Sequence, residues 1–237
     1  MLFEGVIKKF RRSPFFCEVS EDSLMINNSS LEKYISYTET LKKRLDVYFN
    51  DQKEFIKCKA GCDFCCKNSY YPMSQLEYEY IKIGLNENFT AEEREEINQA
   101  VINIFKKRRL FLESGSNILD FSYECPLLEN GACRIYEYRA LLCRSHGLIY
   151  NDIDKPSKQN LPHCMTLGLN YADVFDKETN EFSQEKAIAL GIKAKPKSYE
   201  LSYSALMQDT DDLEFGEIRM FFEWILMDIE GFQKVIL

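Results

Sequence analysis

Four cysteines fall within nine residues of the stretch KCKAGCDFCCKN: Cys58, Cys62, Cys65 and Cys66. Thiolates at this density are ligands for zinc, iron or an iron–sulfur cluster. The C-x3-C-x2-C spacing brings three sulfurs to one side of a tight loop, with Gly61 permitting the turn. Cys65 and Cys66 are adjacent. Neighbouring side chains diverge by about 100° in a helix and point oppositely in a strand. The doublet is therefore expected to serve two separate ions, or one multinuclear cluster.

A second group consists of Cys125, Cys133, Cys143 and Cys164, and both histidines of the chain, His146 and His163, lie within it. Cys125-Pro-Leu-Leu-Glu-Asn-Gly-Ala-Cys133 reads as a knuckle, because Asn130-Gly131 is a strong turn dipeptide that folds the two cysteines toward each other. All eight cysteines are expected metal ligands. His163 adjoins Cys164, so one of the two is expected to reach a shared ion, with Cys164 favoured; His146 and His163 stay open as ligands. Cys17 stands apart and reads as a small packed hydrophobe. Lys57, Lys59 and Lys67 flank the first group and Arg134, Arg139 and Arg144 the second. Such neighbours lower thiol pKa and offset thiolate charge. The basic runs Lys8–Arg12 and Lys106–Arg109 read as solvated faces.

The bulk numbers narrow the chemistry. With 237 residues and 45% hydrophobic side chains, an ordinary core forms without covalent staples. The cysteine count of nine is odd, which a fully disulfide-paired monomer cannot satisfy. Net charge is −8 and the pI about 5.1, so nucleic-acid binding is not expected. The N-terminus lacks an apolar signal region, and the most apolar stretch, Met220–Ile229, is too short for a membrane span. A cytoplasmic protein is expected, where thiols stay reduced and bind metals or do redox chemistry.

The elements that must position these cysteines read as helices. A capping box over Ser29–Glu32 predicts a long helix reaching about Ile56, with Leu31, Tyr34, Ile35, Leu41, Leu45, Tyr48 and Phe49 on its apolar face. Pro72 and Ser74 open a second helix that Gly84 is expected to end. Thr90–Glu93 caps a third, with Ile97, Val101, Ile104, Phe105 and Leu112 buried and Gly115 as its stop. Further helices are predicted at about Ile135–Leu142, Ser183–Leu190 and Asp212–Val235, the last burying Ile218, Phe221, Phe222, Ile225, Ile229 and Phe232. Strand signals are few: Phe121–Tyr123 and Leu148–Tyr150 could pair briefly, and residues 151–181 read as polar loop. The expected fold is mainly α, one α-rich domain over 1–237 with an irregular cysteine-cluster centre at about 55–165.

At these residues the chain resembles the YkgJ-like cysteine cluster proteins, whose CxxxCxxCC domains are described as zinc- or iron-chelating. The resemblance runs through Cys58, Cys62, Cys65 and Cys66, then Cys125-Pro126-Leu127-Leu128, Cys133-Arg134-Ile135-Tyr136, Arg139 and Cys143-Arg144. That family usually has Arg-Pro before its Cys-Arg pair; here Ala140 follows Arg139, which lets a helix run on where proline would kink it. The resemblance implies metal binding.

Two function classes follow. One is a binding module that holds zinc, iron or an iron–sulfur cluster for structure, metal handling or electron transfer. The other is an iron–sulfur enzyme, such as a protein-modifying methyltransferase like the flagellin lysine methylases. CKAGCDFC also matches the loop of radical S-adenosylmethionine enzymes, but that fold is a β/α barrel with the loop after its first strand, and here the loop follows a helix. No glycine-rich nucleotide loop is present. The doublet and the number of cysteines incline the cofactor toward iron–sulfur over zinc.

Overall fold

In the computed structural model the described residues are 28–59, 61–153, 155–210 and 212–229. Cys17, the Lys8–Arg12 run, Phe232 and the expected end of the C-terminal helix lie outside them. Among the described residues 51% are helical and 13% lie in strands, so the fold is mainly α. The described residues divide into two compact units: those within 28–35, 63–140 and 212–229 form the first, and those within 36–62 and 141–210 the second.

Helix α1, Asn28–Asp51, contributes residues to both units. Its Tyr34, Leu41 and Leu45 are buried as expected, together with Tyr37 and Thr38, whereas Tyr48 and Phe49 are half-buried. The helix is already under way at Asn28, so Ser29 and Ser30 do not cap it. It also stops five residues before Ile56. Gln52 explains the stop: it is fully buried, its Oε1 accepts the Lys197 N–H at 2.9 Å and its Nε2 donates to the Lys195 carbonyl at 3.2 Å. A side chain committed to pinning another strand of chain overrides local helix preference.

In the first unit, strand β1 (Pro72–Ser74) leads into α3 (Gln75–Asn88), preceded by the short helix α2 (Phe64–Lys67). Ser74 and Glu77 form the expected capping box: Ser74 Oγ accepts the Glu77 N–H at 3.2 Å and Glu77 Oε2 accepts the Ser74 N–H at 2.7 Å. Thr90 and Glu93 do the same for α4, Ala91–Glu113. Leu112 is exposed and Phe105 half-buried, so the buried stripe of α4 is Ile97, Val101 and Ile104.

Gly84 does not end α3. It sits inside the helix because a Cβ there would lie 2.7 Å from Cγ of Tyr138. The glycine makes room for a ring, at the expense of backbone entropy.

The expected helix over Asp212–Val235 starts nine residues later than predicted. Gly216 takes φ +71°, and Ile218–Met220 (β9) pairs antiparallel with β1 before α8, Phe221–Asp228, begins. Half-buried Ile218 thus lies on a strand. In α8, Phe221, Phe222 and Ile225 are buried as expected, with Trp224 and Leu226. Trp224 stacks on Tyr78 at 5.6 Å and donates its indole N–H to the Met73 carbonyl at 3.1 Å, fixing α8 to the β1–α3 corner.

The second unit contains a three-stranded sheet, ordered β5-β4-β8: β4 is Ile149–Asp152, β5 Lys155–Asn160 and β8 Ser198–Tyr199. The β4–β8 pairing is the one parallel pairing among the described residues, so no β/α barrel forms there. Behind the sheet, Phe55, Ile149, Met165, Tyr171 and Val174 form a core. Residues 151–181, read as loop, hold β5, a 3-10 turn at His163–Leu167 and the hairpin β6–β7 (Phe175–Asp176 with Glu181–Phe182). Helices α5 (Leu141–Ser145), α6 (Gln184–Ala189) and α7 (Tyr203–Gln208) complete the unit. The strands at Phe121–Tyr123 and Leu148–Tyr150 do not pair together: Tyr123 bridges Ser69, and Ile149 and Tyr150 join the sheet.

Candidate metal centre

The boundary between the units falls between Cys62 and Asp63, inside the cysteine motif. It re-sorts the eight cysteines. The first unit holds Cys65, Cys66, Cys125 and Cys133; the second holds Cys58, Cys62, Cys143 and Cys164. All eight are thiols rather than disulfide sulfurs.

In the first unit, Asp63 starts the single turn of α2, its carbonyl accepting the N–H groups of Cys66 at 3.0 Å and Lys67 at 2.9 Å. Both doublet cysteines ride on this turn and are half-buried. Hydrogen bonding with Cys66 is the first cause that pushes the Cys65 thiol far above its ordinary pKa, and burial is the second.

Directly after the doublet, Ser69 pairs with Tyr123 through two backbone hydrogen bonds, and the Cys125 N–H donates to the Cys66 carbonyl at 2.7 Å. These bonds lay the start of the knuckle along the doublet. The knuckle itself is a two-residue hairpin: β2 (Leu128–Glu129) pairs with β3 (Ala132–Cys133), Leu128 opposite Cys133. Asn130 and Gly131 take φ +50° and +77°, the left-handed conformations this tight turn requires. Arg134 anchors the hairpin, reaching Glu93 at 2.7 Å and the Asn88 carbonyl at 2.6 Å and lying 3.9 Å from the Phe89 ring centroid.

In the second unit, Cys58 Sγ lies 3.2 Å from Nδ2 of Asn170, a fully buried residue. Cys164 sits buried in the 3-10 turn, and its carbonyl accepts the Leu169 N–H at 3.2 Å. Cys143 is carried by α5, and Gly147 follows that helix with φ +105°. A Cβ at Gly147 would lie 2.9 Å from Asn170 Nδ2 and 3.3 Å from Cys58 Sγ. Cys62 closes a small turn through its N–H to the Lys59 carbonyl at 2.9 Å, with Gly61 at φ +88° between them. Burial first, and the nearby His163 second, hold His146 down to about 4. Its imidazole is therefore neutral at neutral pH, the form that binds metals. Tyr171 is pushed upward chiefly by burial, with the charges of Asp51, Cys164 and Cys58 among the smaller causes.

Four of the six flanking basic residues have partners other than the cysteines. Lys67 pairs with Asp63 and Lys57 with Asp173, each at 2.7 Å. Arg139 lies over the Tyr136 ring, and Arg134 is taken up by Glu93. These charges brace the loops that carry the cysteines.

The path to Cys143 also differs from the expected helix over 135–142. A 3-10 turn covers Tyr136–Tyr138, and Arg139 then adopts φ −62°, ψ 147° before α5 starts at Leu141. That extended geometry is what a residue ahead of proline must adopt. The chain takes it with Ala140 in place.

Residues 57–165 match the family model CxxCxxCC, described as a "Putative zinc- or iron-chelating domain". The matched segment covers just under half of the chain. It contains all eight cysteines of the two sets. Between Cys58 and Cys62 the chain has three residues where the family name writes two. No curated protein and no solved structure matches the chain. Among the described residues no helix is long and apolar enough to cross a membrane. Nor do three or more His, Cys, Asp or Glu side chains among them already stand in a metal-holding arrangement. The donor chemistry fits zinc and iron nonetheless, since both accept sulfur-rich sites.

Sequence reasoning missed Asn170, Gly147 and Gln52. Asn170 lies in a stretch read as loop, and no spacing links it to Cys58, which is 112 residues away.

Proposed function

We propose that this protein chelates zinc or iron through two thiolate sets, Cys65, Cys66, Cys125 and Cys133 in one unit, and Cys58, Cys62, Cys143 and Cys164 in the other. The family match supports chelation. The observation that carries the grouping is the bond from the Cys125 N–H to the Cys66 carbonyl, which sets the knuckle beside the doublet. Metal binding would draw the sulfurs of each set inward and displace their protons, coupling the metal to local folding.

An iron–sulfur cluster is the form we favour for the doublet set. Thiolates on two adjacent residues bind one tetrahedral ion at a strained angle, whereas neighbouring irons of a cluster take one thiolate each. When bound, such a cluster supplies a one-electron redox centre; zinc supplies a structural cross-link.

Anaerobic purification, elemental analysis and a visible spectrum test the reading. A brown protein with iron and sulfide supports the cluster. A colourless protein with stoichiometric zinc rules it out and keeps chelation. A folded protein that retains neither metal overturns chelation itself.

A further inference from the structure

We propose that Asn170 is a positioning residue for Cys58, holding its thiolate toward the metal through an N–H···S hydrogen bond. The inference rests on the reading of Cys58 as a ligand.

Three bonds fix how the Asn170 amide is turned. Its Oδ1 accepts the Lys57 backbone N–H at 2.7 Å, so the oxygen must face that side. Its Nδ2 donates to the Gly147 carbonyl at 2.9 Å, which only the NH2 end can do. The second Nδ2 proton is left for Cys58 Sγ at 3.2 Å. Reversing the amide would set an oxygen against a carbonyl and a donor against a donor. Network logic therefore settles the orientation.

Both ends of the amide lie near the sulfur: Cys58 Sγ is 3.6 Å from Oδ1 and 3.2 Å from Nδ2, so one fully buried side chain holds it.

Gly147, whose φ of +105° itself calls for glycine, leaves the space for this contact open. Its missing Cβ would press on both partners, Asn170 Nδ2 and Cys58 Sγ. Asn170 also binds the backbone on both sides of the set, at Lys57 next to Cys58 and at Gly147 beyond the Cys143 helix. Residues in such positions orient metal ligands and change affinity by about 10- to 100-fold when removed.

The experiment is a double-mutant cycle read by Co(II) titration of the reduced protein, with dissociation constants and the thiolate-to-cobalt charge-transfer band as readouts. Asn170→Asp keeps the shape and the Lys57 bond, but sets carboxylate oxygen against the Gly147 carbonyl and the sulfur. Expected is an affinity loss of about 10- to 100-fold and a shifted band in the wild-type background, and no further loss in the Cys58→Ser background. An equal loss in both backgrounds makes Asn170 merely structural and overturns the proposal. Unchanged Co(II) binding in Asn170→Asp overturns it as well. If Cys58→Ser alone leaves Co(II) binding intact, the ligand reading of Cys58 is what fails, and the proposal with it.

A wild-type measurement guards against variants that fail to fold. In protein loaded with spin-active cadmium, the Asn170 side-chain amide proton is expected to couple to the metal across the Cys58 sulfur. An uncoupled proton overturns the proposal.

Discussion

Cys125 donates its backbone N–H to the carbonyl of Cys66 at 2.7 Å, joining two cysteines 59 positions apart in the chain. Their relation is one of backbone, so it holds whichever way the side chains turn. It makes the doublet and the knuckle a single local construction.

Substitutions within that construction should act together. Cys66→Ser and Cys125→Ser are each expected to remove the metal of the first set and to leave that of the second. Cys62→Ser and Cys143→Ser should do the reverse, while Cys17→Ser leaves metal content unchanged. Elemental analysis per mole of folded protein checks this. Equal loss from all five would show that the sets are wrongly drawn.

Metal removal should weaken folding in proportion to binding. An ion that binds the native state and not the unfolded one stabilises by about 2.7 kcal/mol at a hundred times its dissociation constant. A chelator under reducing conditions is therefore expected to lower Tm, with protons released when metal is added back. Calorimetry in weakly buffered solution reads both. An unchanged Tm would argue that the metal sits outside the folding unit.

Gly84→Ala tests the seat of Tyr138. Helix propensity alone favours alanine by about 0.8–1.0 kcal/mol. The added Cβ, 2.7 Å from the ring, should instead destabilise by a net amount of about 1–3 kcal/mol in urea unfolding. Tyr138→Ala in the same chain should relieve the clash and restore the propensity gain. A stabilising Gly84→Ala would mean that the ring moves aside without cost.

Acid should dissolve the tie at Asp51. Its carboxylate accepts a hydrogen bond from Tyr199 at 2.6 Å and from Lys197 at 3.0 Å, and these partners, Tyr199 first, hold its pKa below the ordinary 3.8. A depressed carboxylate contributes stability above its unfolded pKa and loses it as pH falls through the folded one. The Tm difference between wild type and Asp51→Asn should be constant at neutral pH and close below the ordinary carboxylate range. A gap that widens toward acid would contradict the assignment.

What the sequence disclosed was local chemistry. The boxes at Ser74 and Thr90 are visible because a cap and its partner lie three residues apart and answer to each other. Asn130-Gly131 is visible for the same reason, since the turn demands left-handed residues at that spot. Gly84 has the same letter as a helix stop, and only the ring of Tyr138 distinguishes the two uses. The apolar run from Ile218 onward fits a helix throughout, and pairing with Pro72–Ser74 takes its first three residues into a strand. Cysteine spacing suggested donors but not which of them lie together. That depends on long-range bonds, such as the Cys125 N–H to the Cys66 carbonyl and the Lys57 N–H to the Asn170 side chain.

The adjacent thiols of Cys65 and Cys66 have a toxicological side. Sulfur donors discriminate poorly among soft ions, and what they hold is set largely by geometry and supply. Mercury and trivalent arsenic are soft ions of that kind, so a cell exposed to them would set them in competition with zinc or iron for these half-buried thiols.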